Sequence, residues 1–258
     1  MPTITALANQ KGGVGKTATT CNFAAALTDL GRRVLVLDLD AQANSTETLD
    51  AVGEYDMYDV LRSEETGVIG DAIVETAWPG VSAVPGSKRL SLFEQESLMT
   101  PEHRLKNAMW QASGLEEFDD ILIDSPPSLG RLTLNGLIVA DRVVILTELE
   151  PYSIRGVGEF IETLSAVRRN PQLNPALRLA GIIVNKAKLN TIEHQEGLKE
   201  LKAAFGTDVV RSPYLRASTV VPTSAGAHKP VSKMRGPVAA AIAEDYARHA
   251  KWLVEEVA

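Results

Sequence analysis

Cysteine is nearly absent. Cys21 is the only one in 258 residues, so the chain can form no internal disulfide and no cysteine-rich metal site, which suits a reducing, cytoplasmic setting. Long apolar runs are missing too, and none approaches the roughly 18 residues that a membrane-spanning helix needs. The opening MPTITALANQ has no basic stretch followed by an apolar one and does not read as a signal peptide. Nor is there an excess of positive charge. The 26 Lys and Arg stand against 33 Asp and Glu, a formal net charge of −7 that on first count argues against a nucleic-acid partner. Low-complexity linkers and internal repeats are also lacking, so a single domain over residues 1–258 is expected. What is present is an ordinary globular composition, 45% hydrophobic, on a chain long enough for a core covered on two sides.

Short apolar runs of strand length alternate with longer segments of helical period. This is the pattern of an α/β fold, a doubly wound and mostly parallel β-sheet flanked by helices. Strands are expected at 3–8, 33–37, 81–84, 120–123, 142–146 and 179–184, with a short one near Val209. Their Val, Ile and Leu content, with little polar alternation, means burial on both faces. Helices are expected at 16–30, 131–139, 156–169, 191–205 and 237–257, the last opened by Pro237, a residue suited to a first helical turn. Residues 44–111 are the least regular part and are expected to hold small helices.

The run NQKGGVGKTATT, residues 9–20, follows the first expected strand and opens the first expected helix. That context gives the motif its meaning. Gly12, Gly13 and Gly15 let the backbone turn tightly and bring successive N–H groups inward, an anion cradle at a helix N-terminus. The cradle is expected to run through Gly12, Gly13, Val14, Gly15, Lys16, Thr17 and Ala18. Lys16 would reach β- and γ-phosphate oxygens, and the Thr17 hydroxyl would ligate Mg²⁺. The common P-loop has a glycine six residues before the lysine; here that position is Gln10, and a second lysine, Lys11, follows it.

Carboxylates stand where such a site needs them. VLVLDLDAQANST ends the second strand with Asp38 and Asp40, and DDILIDSPPSLG ends another with Asp124. In an open α/β sheet, ligands bind at that edge. Two acids there can hold Mg²⁺ through its water shell and orient a water for in-line attack, with Asp124 in the Walker B position. Ser125, Pro126 and Pro127 make a stiff turn suited to sensing a γ-phosphate.

The XKGGXXK[ST] loop resembles that of the deviant Walker A P-loop ATPases, a family that includes the ParA partition proteins, MinD, the nitrogenase iron protein and the arsenite-pump ATPase. The resemblance implies ATP and Mg²⁺ as ligands, and an ATP-sandwich homodimer in which Lys11 reaches the other subunit's nucleotide. The family pattern DxDxQ is matched by Asp38, Asp40 and Gln42, with Ala41 where proline is frequent, and it implies that Asp40 positions the attacking water. Asp38, Asp40, Asp124 and Thr17 are the expected metal-site residues, and Lys11, Lys16 and Asp40 the expected catalytic ones. IIVNK places Asn185 at a strand end, where the family often contacts the adenine edge.

Within that family, a nitrogenase-type iron protein needs paired cysteines, and arsenite-pump ATPases usually carry two copies of the loop. MinD-type proteins end in a basic amphipathic segment, whereas AAIAEDYARHAKWLVEEVA has Glu244, Asp245, Glu255 and Glu256 against Arg248 and Lys251, so no membrane partner is expected. The ParA group matches from 3 to 231, including PPSLGRLTLNGLIVADRVVILTELEPYSIRG and PYLRASTVVPTSAGAHKPV, whose Pro213, Arg216 and residues 226–231 carry the later part. Pro213 is accordingly expected beside the nucleotide. No helix-turn-helix segment precedes the loop, which resembles the short form of the group. The resemblance implies a slow, partner-stimulated ATPase of DNA partition that binds DNA non-specifically in its ATP form, on the nucleoid, with a ParB-type partner. Charge is therefore counted locally: residues 168–235 hold twelve bases and four acids, net +8, leaving −15 elsewhere. Arg216 is the first candidate for DNA contact, followed by Lys199 and Lys202 on one side of a helix, then Lys233 and Arg235. A MinD-like or protein-cargo positioning ATPase is the alternative.

Overall fold

The computed structural model describes residues 1–150 and 152–256. Eight strands make one sheet: β1 (Thr3–Ala8), β2 (Val34–Asp38), β3 (Val74–Glu75), β4 (Val81–Val84), β5 (Asp120–Asp124), β6 (Arg142–Thr147), β7 (Arg178–Val184) and β8 (Val210–Arg211). Their order is β3-β4-β2-β5-β1-β6-β7-β8. Every pairing is parallel except that of β3 with β4. β2, β5 and β6 are buried at every position, as apolar strands covered on both faces must be.

Two apolar clusters fill the space on either side. One gathers α3 (Met57–Arg62), α4 (Leu90–Phe93), α5 (Arg104–Met109), α6 (Arg131–Val139), α7 (Ser153–Arg169) and α8 (Ile192–Phe205). The other gathers α1 (Lys16–Asp29), α2 (Asn44–Leu49), α9 (Val220–Gly226) and α10 (Pro237–Glu255). Buried Arg142 ties the sheet to the last helix: its Nε donates to Thr5 Oγ1 (2.8 Å) and its Nη1 to the Leu253 carbonyl (2.7 Å). That places a cation at the negative end of the α10 dipole.

The strand alternation stands as expected, with bounds moved by a residue or so. β3 is too short for a periodic signal. α7 begins at Ser153, before the two glycines that make its start look like a loop, and α9 carries Pro222 in its first turn, where no helical donor is lost. Residues 44–111 hold the small helices α2 to α5 as well as β3 and β4. Val257, the expected end of the last helix, and Pro151, within the quoted ELEPYS run, lie outside the described residues. Among the described residues, no helix is long and apolar enough to cross a membrane.

The register decides the site. Asp38 pairs with Asp124 across β2 and β5, and Leu7 pairs with Asp124 across β1 and β5. Three adjacent parallel strands thus end at one edge, delivering the glycine loop and both aspartates together.

Candidate functional site

The N-terminus of α1 is open. Its cap residue is Gly15, left-handed at φ 85°, with no side-chain cap and no acid in the first turn. The first backbone donors of that helix therefore have no partner from the chain. α6 shows the contrast, since Glu94 caps it by accepting from the Arg131 N–H (3.0 Å) and the Leu132 N–H (3.1 Å). An uncapped 14-residue helix behind a glycine loop is the arrangement that receives an anion. Lys16 supplies the cation. Its side chain is buried, with Nζ donating to the Lys11 carbonyl at 3.3 Å, and burial lowers its pKa against the pull of Asp124 and Asp40.

Asp124 is fully buried. One carboxylate oxygen accepts from Ser45 Oγ at 2.5 Å, and the other has no partner. Ser125 Oγ is likewise buried and unpaired. Asp38 is different: Oδ2 accepts from the Thr46 N–H (2.9 Å) and hydroxyl (2.7 Å), while Oδ1 accepts from the Asp40 N–H (3.1 Å). Both its oxygens are engaged, so its carboxylate stands behind Asp40 and orients that residue. Among the described residues no cluster of three or more ligating side chains could cage a metal alone. With Thr17 beside the same carboxylate, the orphaned Asp124 oxygen instead fits an ion that keeps waters and takes phosphate oxygens, as Mg²⁺ does.

Burial raises Asp38 to about 7, with Asp124 the next cause, and burial raises Asp124 to about 6 against the opposing effects of Ser45, Thr17 and Lys16. A cation at this edge favours the ionised forms and expels protons. Binding of preformed Mg²⁺–ADP at about pH 6.5 is therefore expected to release protons, read as a buffer-dependent calorimetric heat, with affinity rising as pH increases through the raised carboxylate pKa values and levelling off about one pH unit above them. Asp124→Asn should reduce that release; an undiminished release would show that this carboxylate is not the proton source.

Beside the loop lies a cavity of about 550 Å³ whose walls include Gly15, Ala18, Asn185, Lys186, Arg216 and Val221. Asn185 lines this wall, and its Nδ2 donates to the Val14 carbonyl at 2.8 Å. Pro213 is not among the lining residues; its carbonyl accepts from His249 Nε2 at 2.7 Å, on the α10 side. Lys11 is outward, its ammonium paired with Glu150, and both side chains are about half exposed.

The five bases expected to meet DNA are not in one place. Lys199 and Lys202 share a shallow groove on α8, with Lys202 over the Tyr214 ring at 5.4 Å. The opposite side of α8 carries Glu193, Glu196 and Glu200, which line a groove with Glu148 and Glu150. Arg216 sits on the cavity rim and is held by Asp245 through Nε (3.1 Å) and Nη2 (3.0 Å). Lys233, in the short turn Val231–Lys233, and Arg235 belong to the α1–α10 layer, across the sheet from α8. Several participants carry no motif signal: Ser45 and Thr46 are ordinary polar residues in the first turn of α2, and Gly86 approaches Asp38 so closely that a Cβ would lie 2.8 Å from its Cγ. Glu148 and Lys186 are equally unmarked in sequence.

Residues 2–179 match the family model described as an AAA domain. The chain is 40% identical over 204 residues to the chromosome-partitioning ATPase Soj of Thermus thermophilus, covering 79% of this chain and 77% of that protein. The chain belongs to the ParA/Soj family of partitioning ATPases. Another member, the chromosome partitioning protein ParA of Caulobacter vibrioides, is 35% identical over 212 residues, 80% of this chain and 78% of its own length. Among solved structures, cobyrinic acid a,c-diamide synthase from Mycobacterium smegmatis with bound ADP and magnesium is 31% identical, with TM-score 0.78, over 98% of this chain and 94% of that one. The ParA/Soj assignment agrees with the loop, the paired strand-end aspartates and the mostly parallel sheet flanked by helices.

Proposed function

We propose that this protein is a partition ATPase that hydrolyses ATP to ADP and phosphate and uses the difference between the two nucleotide states to hold and release DNA. The observation that carries the reading is the open α1 N-terminus at the sheet edge that also holds the orphaned oxygen of Asp124, with the buried Lys16 close enough to Asp124 and Asp40 to feel both charges. The relatives named as partitioning ATPases, and the related structure with bound ADP and magnesium, support it. Mg²⁺, when bound at Thr17 and Asp124, neutralises charge on the β- and γ-phosphates. Lys16 and the N–H groups of residues 12–18 orient the triphosphate, and Asp40, held by Asp38 and accepting from the Gln42 N–H at 3.0 Å, orients the attacking water. Lys11, outward and half exposed, is free to exchange Glu150 for the phosphates of a second copy, giving an ATP-sandwich dimer.

In that state Lys199, Lys202 and Arg216 supply sequence-independent phosphate contacts, with Lys233 and Arg235 outside that group, and a ParB-type protein is the partner that accelerates hydrolysis. On α10, Arg248 and Lys251 pair with Glu244 and Glu255 instead of forming a basic face, which supports DNA over a membrane surface as the partner. Asp40→Asn keeps the turn acceptor but removes the water-orienting charge. It is expected to bind ATP within about threefold of the parent while hydrolysis falls about 100-fold; equal hydrolysis would remove Asp40 from the chemistry.

A further inference from the structure

We infer that Lys186 is a positioning residue of the phosphate loop, whose ammonium clamps the Gly13 carbonyl and thereby aims the loop's N–H groups at the phosphates. The inference rests on the nucleotide-site reading above and adds a residue that the loop motif does not contain.

Lys186 is one of the few residues other than glycine with positive φ, at 50°. A left-handed conformation costs a lysine about 1 kcal/mol and persists where contacts over-determine it. Those contacts are present. Its ammonium donates to the Gly13 carbonyl and lies 2.7 Å from Glu148 Oε1, a buried carboxylate just beyond β6. Asn185, one residue earlier, donates from Nδ2 to the next carbonyl, Val14, while its Oδ1 accepts from the Lys186 N–H at 2.9 Å. Two successive loop carbonyls are thus held by two successive residues from the end of β7.

The consequence follows from peptide geometry. In a planar trans peptide the N–H points opposite to the C=O of the same unit. Pulling the Gly13 carbonyl toward Lys186 turns the Val14 N–H away from it, and pulling the Val14 carbonyl toward Asn185 does the same for the Gly15 N–H. Both donors then face the concave side of the loop, where a phosphate is received. The clamp is tight: a Cβ on Gly15 would lie 2.3 Å from Asn185 Nδ2, so this approach requires glycine there. The lysine stem also forms part of the wall of the 550 Å³ cavity. The side chain is 51% exposed, but its ammonium is paired with the buried Glu148 and with the Gly13 carbonyl, which sets Lys186 apart from the DNA-facing bases although it lies in the basic segment.

The test compares parent, Lys186→Met and Lys186→Arg in steady-state ATP hydrolysis and in direct binding of a fluorescent ATP analogue. Met keeps the stem and removes the clamp, so KM and Kd are expected to rise about tenfold while kcat stays within about threefold; Arg restores a donor and recovers most of the affinity. Glu148→Gln weakens the clamp from its other side, with an expected rise in Kd of about threefold. The double variant should be no worse than Lys186→Met alone, the non-additivity of a shared interaction. Parent-like Kd in both Lys186→Met and Glu148→Gln would overturn the inference, as would equal loss of affinity in Lys186→Met and Lys186→Arg. If Lys186→Met does not fold, Glu148→Gln and Lys186→Arg still decide it. Failure of the parent itself to bind the analogue would instead reject the nucleotide-site reading.

Discussion

Lys16→Met is expected to lose measurable ATP binding and to reduce hydrolysis by more than about 100-fold, a change of at least about 2.7 kcal/mol in transition-state stabilisation. The size of the effect follows from the surroundings. Lys16 is nearly buried, beside Asp124 and Asp40, and the desolvation that lowers its pKa is the cost of keeping a cation there. Without that cation, a triphosphate entering the loop would meet two carboxylates with the magnesium ion and backbone dipoles left to offset them. The folded protein should tolerate the change, because Met has a similar volume and the fixed interaction lost is one 3.3 Å hydrogen bond to the Lys11 carbonyl. Calorimetric titration with ATP, alongside thermal unfolding of the same sample, separates lost binding from lost folding. Parent-like affinity would mean that this lysine does not face the phosphates.

Lys11→Ala should produce a different pattern. Its side chain is 45% exposed and its partner Glu150 51% exposed, so the ion pair is of the surface kind, which contributes about 0–1 kcal/mol. Thermal stability and binding of a single nucleotide should therefore remain near the parent, the latter within about threefold. Dimerisation in the presence of an ATP analogue should be lost, and hydrolysis should fall about 100-fold, because in the proposed sandwich dimer the second cation offsetting charge on the transferred phosphoryl group would come from the other copy. Light scattering with analogue and with ADP reads the first effect, and phosphate release reads the second. A Lys11→Ala protein that still dimerises would show that this lysine does not bridge copies. Such a division, binding kept and assembly lost, distinguishes the outward lysine from the buried one although both sit in the same eight-residue motif.

The parallel sheet, the glycine loop and the strand-end aspartates were legible because each rests on a local rule: runs of Val, Ile and Leu for β2, β5 and β6, glycine spacing for residues 12–15, and an acid directly after an apolar run for Asp38 and Asp124. What escaped depends on residues distant in sequence. Ser45 reaches Asp124 and Lys186 reaches Gly13 only because β2, β5, β1, β6 and β7 end at a common edge, and neither has a fixed spacing from its partner. Asp38 illustrates a subtler limit: its position was legible, whereas the capture of both its oxygens by Thr46 and the Asp40 amide requires the turn into α2. The local charge count located a basic segment, yet charge along a chain carries no information about faces. α8 turns its lysines to one groove and its glutamates to another, and the sheet separates Lys199 and Lys202 from Lys233 and Arg235.

Nucleotide-switched DNA binding is the central claim, and fluorescence anisotropy of a labelled non-specific duplex at low salt tests it most directly. With Mg²⁺ and a non-hydrolysable ATP analogue the affinity should exceed that with ADP by about tenfold or more, fall steeply with added salt, and drop in Lys199→Gln/Lys202→Gln and in Arg216→Gln, the last chosen so that Asp245 keeps a hydrogen-bond donor. Equal affinity in the two nucleotide states, or no binding in either, would contradict it.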